Sequence, residues 1–187
     1  DQMTGNGKKF FVAYYTAGFP TVAASGAILD TLVESGCDLI ELGYPFSDPT
    51  ADGPTIQASS QTALENGFTR AGYFQLLQEF RERHPDVPAI VFSYYNPIFH
   101  YGIDKFAELA KAAGADGMLV VDLPHEEQAD VRAVLDREGL HLIQLVAPTT
   151  GQERTGEILK NASGFIYQIS LRGVTGVRDT IAADAGE

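Results

Sequence analysis

Glu41 is the residue whose setting most demands a chemical explanation. It sits inside the apolar run Leu39-Ile40-Glu41-Leu42-Gly43, where an ionised carboxylate is costly unless it is protonated, paired or put to use. One reading is a satisfied buried acid. The other is a proton-transfer group, because an apolar setting raises a carboxyl pKa toward neutrality and lets it exchange protons near pH 7. Asp48 and Asp52 follow on a stretch rich in Pro and Gly. Either can be a turn residue bonding its own backbone, which is the stronger reading for Asp48. Asp52, in Ala51-Asp52-Gly53-Pro54, is equally suited to accept a hydrogen bond from a substrate N–H. Two acids reached from one strand and the loop after it suit acid–base chemistry. The four histidines, His84, His100, His125 and His141, share no metal-binding spacing. Cys37 reads as a small buried apolar residue before the second strand. Neither a metal nor a covalent intermediate is expected.

The elements that must hold these acids alternate regularly. Short, near-continuously apolar runs predict strands over Phe10–Thr16, Leu39–Gly43, Ala89–Ser93, Gly117–Val121, His141–Ala147 and Gly164–Ser170, as expected of strands buried on both faces. Amphipathic stretches predict helices over Val22–Ser35, Ala71–Arg83, Asp104–Ala113, Glu126–Glu138 and Gln152–Asn161, several closing on Gly36, Gly114 and Gly139, where a left-handed cap is wanted. The pattern is that of βα units around a parallel sheet in one domain spanning residues 1–187. The stretch from Tyr44 to Thr69 reads as a loop far longer than the roughly 2–6 residues usual between a strand and its helix, which places function on it. About six βα units are visible, against the eight of a closed barrel. An open doubly wound sheet and a barrel lacking its last quarter both fit that count.

Bulk composition excludes several function classes. A net charge of −12, with 13 scattered basic residues, argues against a nucleic-acid groove, which needs clustered cations. No apolar run reaches the ~18 residues of a membrane span. The single cysteine cannot form an internal disulfide, and no signal segment is visible, so a reducing cytoplasm is the expected location.

The run Glu41-Leu42-Gly43-x-Pro45-Phe46-Ser47-Asp48-Pro49-x-Ala51-Asp52-Gly53-Pro54-Thr55-Ile56-Gln57 resembles the signature of the tryptophan synthase α-subunit family. The likeness extends to Thr16-Ala17-Gly18, Tyr94-Tyr95-Asn96-Pro97, Asp122-Leu123-Pro124, Ala147-Pro148-Thr149 and Gly173-Val174-Thr175-Gly176, each after a predicted strand. The resemblance implies a TIM (β/α)8-type barrel, with about six of its eight units present and the last two units and an N-terminal helix absent. It implies a lyase that cleaves indole-3-glycerol phosphate to indole and glyceraldehyde 3-phosphate. Glu41 would be the general acid/base, and Asp52 would hold the indole N–H. Tyr94 and Tyr167 would line the substrate site, although each alone also reads as a core or rim aromatic. Thr175 would position the aspartate and the Gly176 backbone would assist with the phosphate, on a segment that otherwise reads as a Gly-rich turn. The implied partner is a β-subunit carrying pyridoxal phosphate in an α2β2 assembly, docked on Pro45, Phe46, Asp48, Asn96 and Pro97. No cofactor is implied for this chain. The alternative is a non-catalytic module that binds the β-subunit without turnover. Tyr15, Tyr44, Thr50 and Arg172 depart from the residue types usual in the family, and each is expected to add polarity near the barrel mouth.

Overall fold

The computed structural model describes residues 9–169. Its parallel sheet comprises β1 (Val12–Thr16), β2 (Leu39–Gly43), β3 (Ala89–Ser93), β4 (Gly117–Val120) and β5 (His141–Leu142), hydrogen-bonded in that order. A second parallel pair, β6 (Gln144–Val146) and β7 (Ile166–Gln168), continues the series. The predicted fifth strand is therefore two short pieces interrupted at Ile143, whose N–H still bonds the Met118 carbonyl at 2.9 Å. Ser170, the last residue of the predicted sixth strand, lies outside the described residues.

The helices are α1 (Ser25–Glu34), α2 (Pro54–Glu65), α3 (Arg70–Arg83), α4 (Tyr95–Tyr101), α5 (Ile103–Ala112), α6 (Ala129–Glu138) and α7 (Gln152–Lys160), with a 3-10 turn at His125–Glu127 ahead of α6. Five correspond to predicted helices. The other two correct the sequence reading. The Tyr44–Thr69 stretch is not one long loop, because residues 54–65 form α2, although the ten residues 44–53 that precede it still exceed the usual reach. Pro54 opens α2 at a position whose N–H has no intrahelical partner. Its buried face is Ser59, Ser60 and Ala63, so helical periodicity is present but written in small residues rather than large apolar ones. Helix α4 carries Pro97 in its first turn, where proline is tolerated.

The register explains the two cores. Tyr14 pairs with Glu41, Glu41 with Ile90, Phe92 with Leu119, and Leu145 with Tyr167. In parallel strands, paired positions project to one face, so these side chains share the concave interior with Leu39 and Ile143. The alternate set, including Ala13, Ile40, Leu42, Val91, Met118, Val120 and Leu142, faces outward against Leu29, Leu77, Phe80, Phe106 and Leu135 of the helices. Burial of all five β2 residues follows from this sandwiching, as expected for parallel strands.

Two family departures settle into the outer layer rather than the mouth, contrary to expectation. Tyr44 packs among Phe68, Tyr73 and Phe106, with ring centroids 5.1, 5.0 and 5.8 Å away. The Tyr15 hydroxyl reaches Ser25 Oγ at 2.9 Å and bonds the Phe19 carbonyl. Thr50 is exposed on the loop, and Arg172 lies outside the described residues.

The expected glycine caps are present, with Gly36, Gly114 and Gly139 all at positive φ. Gly114 is the most constrained of them, because a Cβ there would meet Arg81 Cγ at 2.8 Å in addition to the strain of φ +89°. Arg81 is itself held by the Val87 carbonyl. Gly114→Ala should therefore cost about 1–3 kcal/mol, read as a lower urea midpoint with an unchanged slope. An unaltered midpoint would contradict this packing.

Candidate active site

The carboxyl ends of β1 to β4 and β6 to β7 open on one rim, and the two predicted acids stand there. Glu41 is 4% exposed, and its Oε1 has no hydrogen-bond partner. Burial alone pushes its pKa up from 4.5 to about 7. It is thus a carboxyl group poised to hold or release a proton near neutral pH, with one oxygen uncommitted.

Asp52 is also buried but well partnered. Tyr94 Oη donates to Asp52 Oδ2 at 2.9 Å, while the Ala51 N–H donates to the same phenol oxygen at 2.9 Å. The loop is braced on both sides of Asp52. Its N–H bonds the Pro49 carbonyl at 3.1 Å, and its carbonyl accepts Gln57 Nε2 from the first turn of α2 at 2.9 Å. The helix hidden in the predicted loop is therefore what fixes this acid. Burial raises the Asp52 pKa, and the Tyr94 bond opposes that rise. Tyr94 stays protonated, since burial and the adjacent aspartate both push its own pKa up. Removing the donor in Tyr94→Phe should raise the Asp52 pKa further, because the bond that opposes the effect of burial is lost, measurable by carbon-13 NMR of the carboxyl. An unmoved titration would show that the phenol does not hold the acid.

Tyr167 also faces the site. Its pKa is raised first by burial and then by the charges of Glu41 and Asp52, which places its hydroxyl within the field of both acids. Thr175 and Gly176 lie outside the described residues. Of the residues expected to meet a partner, Asp48 and Asn96 are exposed, Phe46 and Pro97 half-buried, and Pro45 buried. Phe46 packs on Tyr94, with centroids 5.3 Å apart, so the outer loop and the ring that holds Asp52 are in contact. Asp48 accepts from Ser47 Oγ at 2.6 Å, and its carbonyl accepts the Thr50 N–H at 2.9 Å, the geometry of a turn residue. Among the described residues no group of three or more His, Cys, Asp or Glu could hold a metal ion, and no helix is long and apolar enough to cross a membrane. Cys37 is buried, and its thiol is 3.0 Å from the Leu39 carbonyl.

Sequence reasoning passed over three polar residues at this rim. Tyr14 lies beside Glu41 in the β1–β2 register. Thr16 Oγ1 and Ser59 Oγ are buried 2.7 Å apart and tie β1 to α2. The available signal was the alternation Val12, Tyr14, Thr16 along a strand whose neighbour carries an inward acid.

A curved parallel sheet, helices on its outer face and functional groups gathered at the strand carboxyl ends define the (β/α)-barrel class of proteins. The family model described as "Tryptophan synthase alpha chain" matches residues 1–187. The tryptophan synthase alpha chain of Methanosarcina mazei is 46% identical over 187 residues, covering 100% of this chain and 68% of its own length. Among solved structures, tryptophan synthase subunit alpha of Legionella pneumophila superposes with a TM-score of 0.84 at 41% identity, covering 87% of this chain and 62% of that one. The Pyrococcus furiosus structure described as a tryptophan synthase α2β2 complex gives 0.81 at 42% identity, covering 85% and 67%. The chain belongs to the tryptophan synthase alpha chain family. It spans about two thirds of the length of the relatives it matches.

Proposed function

We propose that this chain provides the acid–base site for cleavage of indole-3-glycerol phosphate to indole and glyceraldehyde 3-phosphate, the lyase step of tryptophan biosynthesis. The observation that carries the proposal is the pairing of an uncommitted, neutral-range carboxyl on Glu41 with a fixed, hydrogen-bonded carboxylate on Asp52 at one rim. Protonated Glu41 delivers its proton to the ring carbon bearing the glycerol chain. Positive charge develops at the ring nitrogen, whose N–H bonds the Asp52 carboxylate and is stabilised by its charge. Glu41, now ionised, takes the proton of the chain hydroxyl. The carbon–carbon bond then breaks, its electron pair returning to the ring as the hydroxyl carbon becomes an aldehyde. The Glu41 proton is restored, so no metal or cofactor is needed in this chain. Tyr94 and Tyr167 line the space beside the two acids, Thr175 is assigned to positioning the aspartate, and the Gly176 backbone to the phosphate.

For the partner we propose a pyridoxal-phosphate β-subunit in an α2β2 assembly, docked on the surface around Pro45, Phe46, Asp48, Asn96 and Pro97. The solved α2β2 relative supports this reading. The contact of Phe46 with Tyr94 gives such a partner a short mechanical route to Asp52. Incubating the chain with indole-3-glycerol phosphate, with and without the β-subunit, should release indole and an equal amount of the aldehyde. Complex formation with no release under either condition would leave a binding module and overturn the catalytic reading.

A further inference from the structure

Asp52 is placed no better than the helix behind it. Gly53 alone separates it from Pro54, which opens α2, and Gln57 Nε2 in the first turn bonds its carbonyl at 2.9 Å. Yet little apolar surface holds that helix. Its fully buried side chains are Ser59, Ser60 and Ala63, and its N-cap, Gly53, contributes no side-chain bond, so burial and capping together supply little. Small groups seat it on β1 and the segment after it instead. Thr16, the last residue of β1, is paired with Gly43 in the sheet and places its Oγ1 2.7 Å from Ser59 Oγ, both residues being buried. Ser59 donates its hydrogen to the Ile56 carbonyl at 2.8 Å, so the hydrogen between the two hydroxyls comes from Thr16. One turn on, Ala63 lies so close to Gly18 that a Cβ there would meet Ala63 Cβ at 3.3 Å. At the far end Asn66 Nδ2 bonds the Pro20 carbonyl.

We propose that Thr16 and Ser59 are positioning residues for Asp52: their buried bond seats the first half of α2 on β1, and α2, through Gln57, holds the Asp52 loop where Tyr94 can reach the carboxylate. Of the contacts that seat α2, the hydroxyl pair is the one nearest Gln57 along the helix, whereas Ala63 and Asn66 secure the half farther from the acid. Both acids are then referenced to neighbouring strands, Glu41 directly on β2 and Asp52 through α2 on β1. Groups held from strands are placed more precisely than groups left to a loop. The titratable groups that share the surroundings of Asp52 are Tyr94, which donates to it, Glu41 on β2, Tyr14 on β1 and Tyr167 on β7. The buried face of α2 adds none. The functional consequence rests on the cleavage reading, whereas the seating of the loop does not.

Thr16→Val keeps the branched shape and removes the donor, and Ser59→Ala removes the acceptor. With carbon-13-labelled aspartate, the Asp52 carboxyl signal is identified by its loss in Asp52→Asn. The rise in its titration midpoint on Tyr94→Phe then measures the Tyr94–Asp52 bond, and it is determined in wild type and in each variant. A loop released from its seat holds that bond less well, so the rise should shrink to about half or less in Thr16→Val and in Ser59→Ala. Thr16→Ser, which retains the hydroxyl, should leave it at full size. A role confined to stability would lower the urea midpoint without touching this coupling. In the cleavage assay kcat/KM should fall roughly tenfold in either variant, and the double variant should be no worse than the poorer single one, since one bond is lost in all three. A full-sized rise in both Thr16→Val and Ser59→Ala, or no rise in the wild-type chain, overturns the proposal whatever the activity does. If the wild-type chain releases no indole, the cleavage reading fails by itself and the titrations still decide what seats Asp52.

Discussion

Glu41→Gln should lower the rate of indole release by about 10²–10⁴-fold, the range expected for loss of a positioned general acid/base. Glutamine preserves the size and polarity of the side chain but can neither deliver the proton to the ring carbon nor accept the one from the chain hydroxyl. Because both transfers pass through the same group, no neighbouring acid substitutes readily. Asp52 is tied to Tyr94 and faces the ring nitrogen in the proposed arrangement. The loss should appear in kcat, with KM little altered, since glutamine still fills the site. Circular dichroism of the variant should match wild type. A variant that keeps wild-type turnover would remove Glu41 from the chemistry.

The second large effect is on stability, and it changes with pH. Folding raises the Glu41 pKa from 4.5 to about 7 by burial, so between those values the folded chain holds a proton that the unfolded chain has released. Stability from this group is fully present below about pH 4.5 and is lost as pH rises through 7. With each pKa unit worth about 1.4 kcal/mol, the loss approaches roughly 3 kcal/mol. Glu41→Gln cannot ionise and escapes it. Urea unfolding of the two proteins should therefore agree near pH 4 and diverge by pH 8, with the variant the more stable. Parallel curves across that range would mean that Glu41 is solvated or paired in solution. The same substitution thus lowers the proposed activity and stabilises the fold at neutral pH, the trade expected of a functional group kept in a setting that disfavours its charge.

Much of this architecture was legible because apolar periodicity reports burial on both faces of a strand. Leu39–Gly43 and Ala89–Ser93 were located residue for residue, since their continuous apolar character has no other reading. Helix α2 was hidden because its buried stripe is Ser59, Ser60 and Ala63, and close packing of small residues leaves no hydrophobic signature. Helix α4 was hidden by Pro97, which marks a turn unless its first-turn position is known. The break at Ile143 separates β5, paired with β4, from β6, paired with β7, a change of partner that no local pattern encodes. At the site, Glu41 announced itself as a charge in an apolar strand, and the Asp52 loop announced itself by its length. Tyr94 was expected at the substrate, and its bond to Asp52 emerged only from the fold. Tyr14 was silent, because an aromatic in a strand is ordinary, and its place beside Glu41 comes from a register with β2 that links residues 27 apart.

The proposed role of Glu41 as the near-neutral carboxyl that cleaves indole-3-glycerol phosphate can be read from the pH dependence of kcat/KM for indole release by the wild-type chain, which reports ionisations of the free protein. A break near pH 7 belonging to Glu41 is expected. A rate that stays flat from pH 5 to about 8, or an absence of indole at every pH from a folded chain, would contradict it.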